Sequence, residues 1–275
     1  MCVVALRGHT LELAMLAVDP NSLDIERPLA NFAKHGYARL GVVLSPEGVQ
    51  RLRRRCEELM LGIVRYPNMF FQHDSPNGRY ADLRYGKGWT GPSLHYRKLE
   101  GLEFDASVRC WIENALFARI AHSAIGDAVS LYRAVLWNKA ANAGTELPWH
   151  QDDGVFWGID RPPCLQIWTA LDDASEDSGC LEFVPTSHLA GLASPQGGTV
   201  QAAQLTESNA LQRALKLAVQ AGEAVLIHNH VWHRSGRNKT PLPRRAIGVS
   251  YLDATTRCLR RRRAPREFQR VFASA

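Results

Sequence analysis

From residue 131 onward the chain reads with a period of two. The segments LYRAVLWNK (131–139), CLQIWTAL (164–171), CLEFVP (180–185), EAVLIHN (223–229) and RRAIGVSYLD (244–253) are short, rich in branched and aromatic residues, and separated by turn-rich stretches. Strands of this kind bury one face each, so they must close against a second layer. Ahead of them the period is helical. A short helix is expected over 28–35, a strand over 37–44, and a second helix from Pro46 to about Leu61, where Ser45, Pro46 and Glu47 supply the start signals. The stretch VRCWIENALFARIAHSAIG suits one amphipathic helix from about 107 ending near Gly126. Helices first and strands after predict a mainly β chain, a sandwich or barrel decorated by N-terminal helices.

Residues 66–105 fit neither period. They carry Pro67, Pro76 and Pro92 among glycines, aromatics and charges, and are expected to form a lid or substrate wall, or else an irregular surface excursion. A composition of 45% hydrophobic and 22% charged residues leaves no case for extended disorder. The 275 residues are expected to form one domain: a helical part over 1–127, a β core over 128–256 and a basic tail over 257–275. The opening MCVVALRGHTLELAMLAV is interrupted by Arg7, His9 and Glu12 and lacks a basic leader, and no stretch has the length of a membrane span; a soluble, cytoplasmic protein is expected. Cys2, Cys56, Cys110, Cys164, Cys180 and Cys258 are scattered, which suits reduced thiols and excludes a zinc ribbon. Much of the +6 charge sits at Arg257, Arg260, Arg261, Arg262, Arg263 and Arg266. Without interleaved aromatics this run reads as a solvated tail and not as a nucleic-acid surface.

The chemistry is concentrated in two places. In LPWHQDD (147–153), His150 and Asp152 are two residues apart, so on an extended chain both face one side while Gln151 and Asp153 face the other. The pair alone is a weak signal. The later segment GEAVLIHNHVWHRSGRNKTPLPRRAIGVSY adds a strand running into a turn that bears His228, His230 and His233, then two arginines on the next strand. Two histidines and a carboxylate make the facial triad that suits iron(II) and leaves positions open for a keto acid and O2. The far carboxylate of 2-oxoglutarate would then need a planar guanidinium, and Arg244 or Arg245 can supply it, but not both, since neighbours on a strand face opposite ways.

These motifs resemble the phytanoyl-CoA dioxygenase family of iron(II)- and 2-oxoglutarate-dependent oxygenases. The likeness rests on WHQD (149–152), QIWTALDDASEDSGCLEFVPTSH (166–188), H-x-S-G-x-N followed by proline and arginine (233–244), and the early FAKHGYARLGVVLSPEGVQRLRRRCEEL (32–59). Residues 63–110 and the Arg-rich end match nothing in it. The resemblance implies a double-stranded β-helix (jelly-roll, cupin-like) core flanked by N-terminal helices. It implies His150, Asp152 and His233 as iron ligands, with His228 and His230 structural. Arg244, eleven residues past His233, becomes the co-substrate arginine, while Trp168 and Ser235 match positions that contact the keto acid. Asn138-Lys139 resembles an N-K pair at the corresponding strand end. The family's P-G-S-H turn appears as Pro185-Thr186-Ser187-His188, with threonine in place of glycine.

The implied cofactors are Fe(II), 2-oxoglutarate as co-substrate and O2. The implied reaction is oxidation, most simply hydroxylation, of an unactivated C–H bond of a small molecule, with succinate and CO2 as co-products. Asp152 argues against halogenation, which requires the carboxylate to be replaced; desaturation or cyclisation would use the same ligands. An acyl-CoA, an amino acid and a natural-product intermediate all remain compatible as substrate. Trp149, Phe156 and Trp157 flank the first ligands as candidate walls or core. The competing readings are a non-catalytic metal-binding jelly-roll module and a zinc hydrolase on the same three ligands.

Overall fold

The computed structural model of the chain describes residues 15–260 and 266–273; the opening segment through residue 14 and Arg261, Arg262 and Arg263 lie outside it. The helical part contains α1 (Glu26–His35), β1 (Tyr37–Val42), α2 (Pro46–Leu61), β2 (Phe70–His73), β3 (Tyr96–Glu100), α3 (Ala106–Ile112) and α4 (Ala115–Ala124). The strand-rich part runs β4 (Ala128–Lys139), β5 (Leu147–Gln151), β6 (Leu165–Ala170), β7 (Leu181–Val184) and β8 (Gly198–Thr199). Two short helices follow, α5 (Ala202–Glu207) and α6 (Ala210–Arg213). The chain then continues through β9 (Leu215–Leu217), β10 (Glu223–Ile227), β11 (Trp232–Ser235), β12 (Arg244–Asp253) and β13 (Arg270–Ala273).

These strands make two antiparallel sheets. The major sheet is ordered β1-β10-β6-β12-β4-β3-β2, with β13 also paired to β4, and the minor sheet is ordered β8-β5-β11-β7-β9. From β4 to β7, and again from β10 to β12, successive strands alternate between the sheets, which is the winding of a jelly roll. The fold is therefore mainly β, a double-stranded β-helix with N-terminal helices, as expected.

Period-two alternation divides the major sheet into two faces. Ile167, Leu226, Ile247 and Val249 point to the helices, where they pack with Leu52, Cys56, Trp111, Phe117 and Ile120. Their strand neighbours Trp168, Val225, Ile227 and Ala246 point to the minor sheet and pack with Leu181 and Phe183. The functional side chains stand on this second face. Helix α2 begins as expected, with the Ser45 hydroxyl accepting from the Gly48 N–H, and ends at Gly62, whose φ of 76° suits glycine.

Three expectations are corrected and one, the tail, is refined. The helix over 107–126 is two helices, because the Asn114 side chain accepts from the Phe117 N–H and starts a new one while the apolar period continues across the break. The 66–105 segment is not without strands: β2 and β3 extend the major sheet past β4, which makes it a wall. The described part of the tail is solvated at Arg257, Arg260 and Arg266 but anchored, since β13 pairs with β4, Arg260 donates to the carbonyls of Phe156 and Trp157, and Arg266 bonds the Tyr132 carbonyl. His233 is not on a turn but on β11, one strand beyond the turn that carries His228 and His230. The threonine at the P-G-S-H position does not prevent the turn: Thr186 adopts φ 68°, a conformation uncommon for a β-branched residue. Among the described residues Cys56, Cys164, Cys180 and Cys258 are free thiols, and no helix is long and apolar enough to cross a membrane.

Candidate metal centre and co-substrate cavity

Strands β5 and β11 pair so that His150 and His233 stand directly opposite each other, with ring centroids 4.0 Å apart. Asp152 follows β5 immediately. Its backbone is held by Asn229, whose carbonyl accepts from the Asp152 N–H at 2.8 Å and whose amide donates to the Asp152 carbonyl at 2.8 Å. The three side chains converge, with one donor atom from each lying within 4.8 Å of the others. Asp152 carboxylate oxygens are 4.0 Å from His150 Nε2 and 3.6 Å from His233 Nε2.

The outward-facing atoms fix the inward-facing ones. His150 Nδ1 donates to the Pro148 carbonyl at 2.8 Å and His233 Nδ1 to the Val231 carbonyl at 2.9 Å. A carbonyl only accepts, so each proton is on Nδ1 and each Nε2 offers a lone pair. Burial and the neighbouring His233 push His150 down to about 4, so it is neutral at physiological pH. Burial alone would raise Asp152, but His150, His233, Arg133 and a hydrogen bond from Gln166 hold it at about 2. Two imidazole Nε2 atoms and an ionised carboxylate facing one point suit a divalent cation. Gln166 Nε2 donates to Asp152 Oδ2 at 2.8 Å and Arg133 Nη2 lies 3.7 Å from Oδ1, which orients the carboxylate from outside.

Gln151 and Asp153 point away, as the alternation requires. Gln151 donates to the carbonyls of Gly191 and His230, and Asp153 accepts from His230 Nε2 at 2.7 Å. His228 accepts the His230 N–H on Nδ1, and its ring lies tilted against that of His188 with centroids 4.9 Å apart. Neither His228 nor His230 therefore joins the three.

A cavity of about 50 Å³ extends from the triad between the sheets, lined by Trp168, Ser235, Arg244, Lys139 and Trp137 among others. Arg244 is 2% exposed; Nη2 donates to the Gly179 carbonyl at 3.1 Å, its Nε has no partner, and the guanidinium sits 5.7 Å from the Trp168 ring centroid. Burial lowers it to about 10, which leaves it charged at neutral pH. Arg245 is occupied on the other face, with Nε 2.7 Å and Nη2 3.0 Å from the Asp172 carboxylate and Nη1 on Glu57. Lys139 donates to the Thr145 carbonyl at 2.7 Å, and Asn138 spends its amide on the carbonyls of Leu94 and Tyr96.

Past the triad the cavity opens into a cleft of about 360 Å³, whose lining includes Phe156, Arg97, Lys98 and Arg133. Of the three flanking aromatics only the half-exposed Phe156 lines it. Trp157 is stacked on Tyr132 in the core, and Trp149 packs with Val184 and Trp232. Sequence reasoning missed Gln166, Arg133, Asn229 and Arg97. Gln166 had a signal, since it stands two residues before Trp168 and so on the same face of β6.

A family model described as phytanoyl-CoA dioxygenase matches residues 32–246. Phytanoyl-CoA dioxygenase domain-containing protein 1 of Danio rerio is 32% identical over 254 residues, which cover 80% of this chain and 87% of that protein. Two solved structures share the fold. One is EctD from S. alaskensis with 2-oxoglutarate and 5-hydroxyectoine (TM-score 0.69, 20% identity, 89% of this chain and 84% of that one). The other is the epimerase SnoN in complex with Fe3+, alpha ketoglutarate and nogalamycin RO (TM-score 0.68, 18% identity, 94% and 96%). By the extent of the family match and this geometry together, the chain belongs to the phytanoyl-CoA dioxygenase family of iron- and 2-oxoglutarate-dependent oxygenases.

Proposed function

We propose that the protein is an Fe(II)- and 2-oxoglutarate-dependent dioxygenase that hydroxylates a C–H bond of a small organic molecule. His150, Asp152 and His233 would hold the iron and Arg244 would clamp the far carboxylate of the keto acid. The observation that carries this reading is the coincidence of two features in one cavity. Three donor atoms converge within 4.8 Å, and a buried arginine with an unpartnered Nε lines the same space.

When bound, iron(II) with 2-oxoglutarate and O2 supplies the oxidising chemistry, in which the keto acid is split to succinate and CO2 and one oxygen atom is delivered to the substrate carbon. The chain's own residues position and protect. The carbonyls of Pro148 and Val231 keep both imidazoles in the ligating tautomer, and Gln166 with Arg133 holds Asp152 in place. Arg244 recognises a planar carboxylate by its fork, and the indoles of Trp137 and Trp168 close the walls around it. The outer cleft receives the substrate. The free thiols of Cys56, Cys164, Cys180 and Cys258 among the described residues suit work in a reducing compartment such as the cytosol.

The test is iron-dependent conversion of 2-oxoglutarate to succinate by the purified chain, with ascorbate present. Loss of roughly a thousandfold or more in His150→Ala and Asp152→Ala is expected. Full turnover in either variant, or turnover by wild type without iron, would overturn the assignment.

A further inference from the structure

Arg97 stands where the inner cavity meets the outer cleft and lines both, whereas Arg244 and Lys139 line only the inner cavity. It is 7% exposed, yet its one side-chain hydrogen bond among the described residues is from Nη1 to the neutral amide oxygen of Gln72, at 2.7 Å. No carboxylate among the described residues forms an ion pair with it. Asp74, which acts on it at longer range, spends Oδ1 on the backbone and hydroxyl of Thr145. The Trp137 ring lies 5.6 Å from the guanidinium carbon and screens one side from water.

The rest of the cleft does not supply the missing anion. Lys98 and Arg133 share the single carboxylate of Glu100, at 2.6 and 3.9 Å, and Arg133 also leans on Asp152. Three cations thus line the substrate side, while of the nearby carboxylates that are not candidate metal ligands Glu100 is shared by Lys98 and Arg133, and Asp74 acts on Arg97 without forming an ion pair with it. A guanidinium held dry and without an ion partner is costly unless a ligand completes it, and its planar fork fits a carboxylate with two parallel bonds.

We propose that Arg97 anchors a carboxylate on the prime substrate, so that the substrate class is a small organic acid held in the outer cleft with its reacting carbon toward the triad. This rests on the oxygenase reading above. It assigns the two buried arginines to different ligands: Arg244 to the keto acid and Arg97 to the substrate.

The experiment uses the full chain loaded with Mn(II) and 2-oxoglutarate, and reads the paramagnetic relaxation of the protons of benzoate, its neutral isostere benzamide, and phenyl phosphate. Benzoate is expected to be relaxed at least about tenfold more than benzamide. Arg97→Met should bring benzoate down to the benzamide level while 2-oxoglutarate affinity stays within about twofold, and Arg97→Lys should retain part of the preference. Equal relaxation of benzoate and benzamide in wild type would overturn the proposal. So would a preference for phenyl phosphate, or an Arg97→Met variant that weakens 2-oxoglutarate as much as Arg244→Met does. Failure of the oxygenase reading is a separate outcome, seen as no metal-dependent binding of 2-oxoglutarate by wild type. In that event saturation transfer from metal-free protein to benzoate and benzamide still decides whether Arg97 selects carboxylates.

Discussion

On β12 two adjacent arginines face opposite sides of the major sheet. Arg245, toward the helices, meets Asp172 and Glu57, and Arg53 of α2 reaches the same Asp172 at 2.9 Å. Arg244, toward the minor sheet, meets one backbone carbonyl and otherwise an open cavity. The same contrast separates the histidines: His230 is matched to Asp153, while His150 and His233 turn their Nε2 atoms toward one another and Asp152. On the helix side the chain completes its own charges and the result is stability. On the cavity side it leaves them incomplete, and completion must come from a ligand.

Exchanging the two arginines for methionine tests this division most strongly. Arg245→Met leaves Asp172 with Arg53 as its one ion partner and leaves the half-exposed Glu57 to water, and is expected to destabilise by about 1–3 kcal/mol in urea unfolding, with the Michaelis constant for 2-oxoglutarate unchanged. Arg244→Met removes a buried charge that no carboxylate balances. Its unfolding midpoint should stay level or rise, while the Michaelis constant for 2-oxoglutarate rises roughly a hundredfold. Equal kinetic effects from the two variants would erase the contrast.

Gln166 sharpens it, because it lies on the cavity face and still acts through a protein partner. Its amide donates to Asp152 Oδ2 while its oxygen accepts from the Ser250 hydroxyl at 3.1 Å. Gln166→Leu should weaken iron affinity about 10- to 100-fold, read by metal titration, with 2-oxoglutarate affinity of the iron-loaded protein little changed. A variant with wild-type metal affinity would show that Asp152 needs no outside support.

How far the sequence revealed these faces depended on how local each signal was. Strand β12 and helix α2 were legible to their end residues, since Arg244–Asp253 is a mostly apolar run bounded by charged residues and Ser45-Pro46 marks a start. The break at Asn114 was hidden by an apolar period that runs through it. Strand β11, four residues long and crowded by histidines, read as a turn. The spacing of His150 and Asp152 showed that they share a face, but not that His233 lies opposite His150, which is a matter of strand register. The parity of β12, which decides between Arg244 and Arg245, came from resemblance and not from pattern. Arg97 and Gln166 gain their meaning from partners 25 and 14 residues away, beyond the reach of any local motif.

Protonation separates a histidine the chain completes from one that metal completes. His228, on the turn before β11, is pushed by burial and by His188 and His230 from 6.5 to about 3, and His150 from 6.5 to about 4. Both folded values lie below the unfolded one, so the unfolded chain binds more protons in this window and stability falls as pH drops below about 6.5. Each histidine contributes a slope of at most about 1.4 kcal/mol per pH unit. Metal-free protein should show both contributions in urea midpoints between about pH 6.5 and 5. Mn(II), by holding folded His150 unprotonated, should leave that slope in place and extend the share of His150 below about pH 4, where the metal-free protein begins to protonate it. His228→Asn should remove only its own share. A slope below about pH 4 that Mn(II) does not change would place His150 outside the metal site.

The smallest effect concerns a residue with no side chain. Gly248 lies on β12 opposite Trp168 of β6, and a Cβ there would meet Trp137 Nε1 at 3.0 Å, Trp137 Cδ1 at 3.3 Å and Trp168 Cδ1 at 3.9 Å. Contacts this tight force the Trp137 indole to move by a few tenths of an ångström into the cavity that Arg244 lines. Gly248→Ala should therefore cost about 1 kcal/mol or less in unfolding and raise the Michaelis constant for 2-oxoglutarate by roughly three- to tenfold, because a well-packed wall yields by displacement and not by collapse. The opposite outcome, a loss of several kcal/mol with unchanged kinetics, would mean that the cavity face of β12 is packed for stability just as its helix face is.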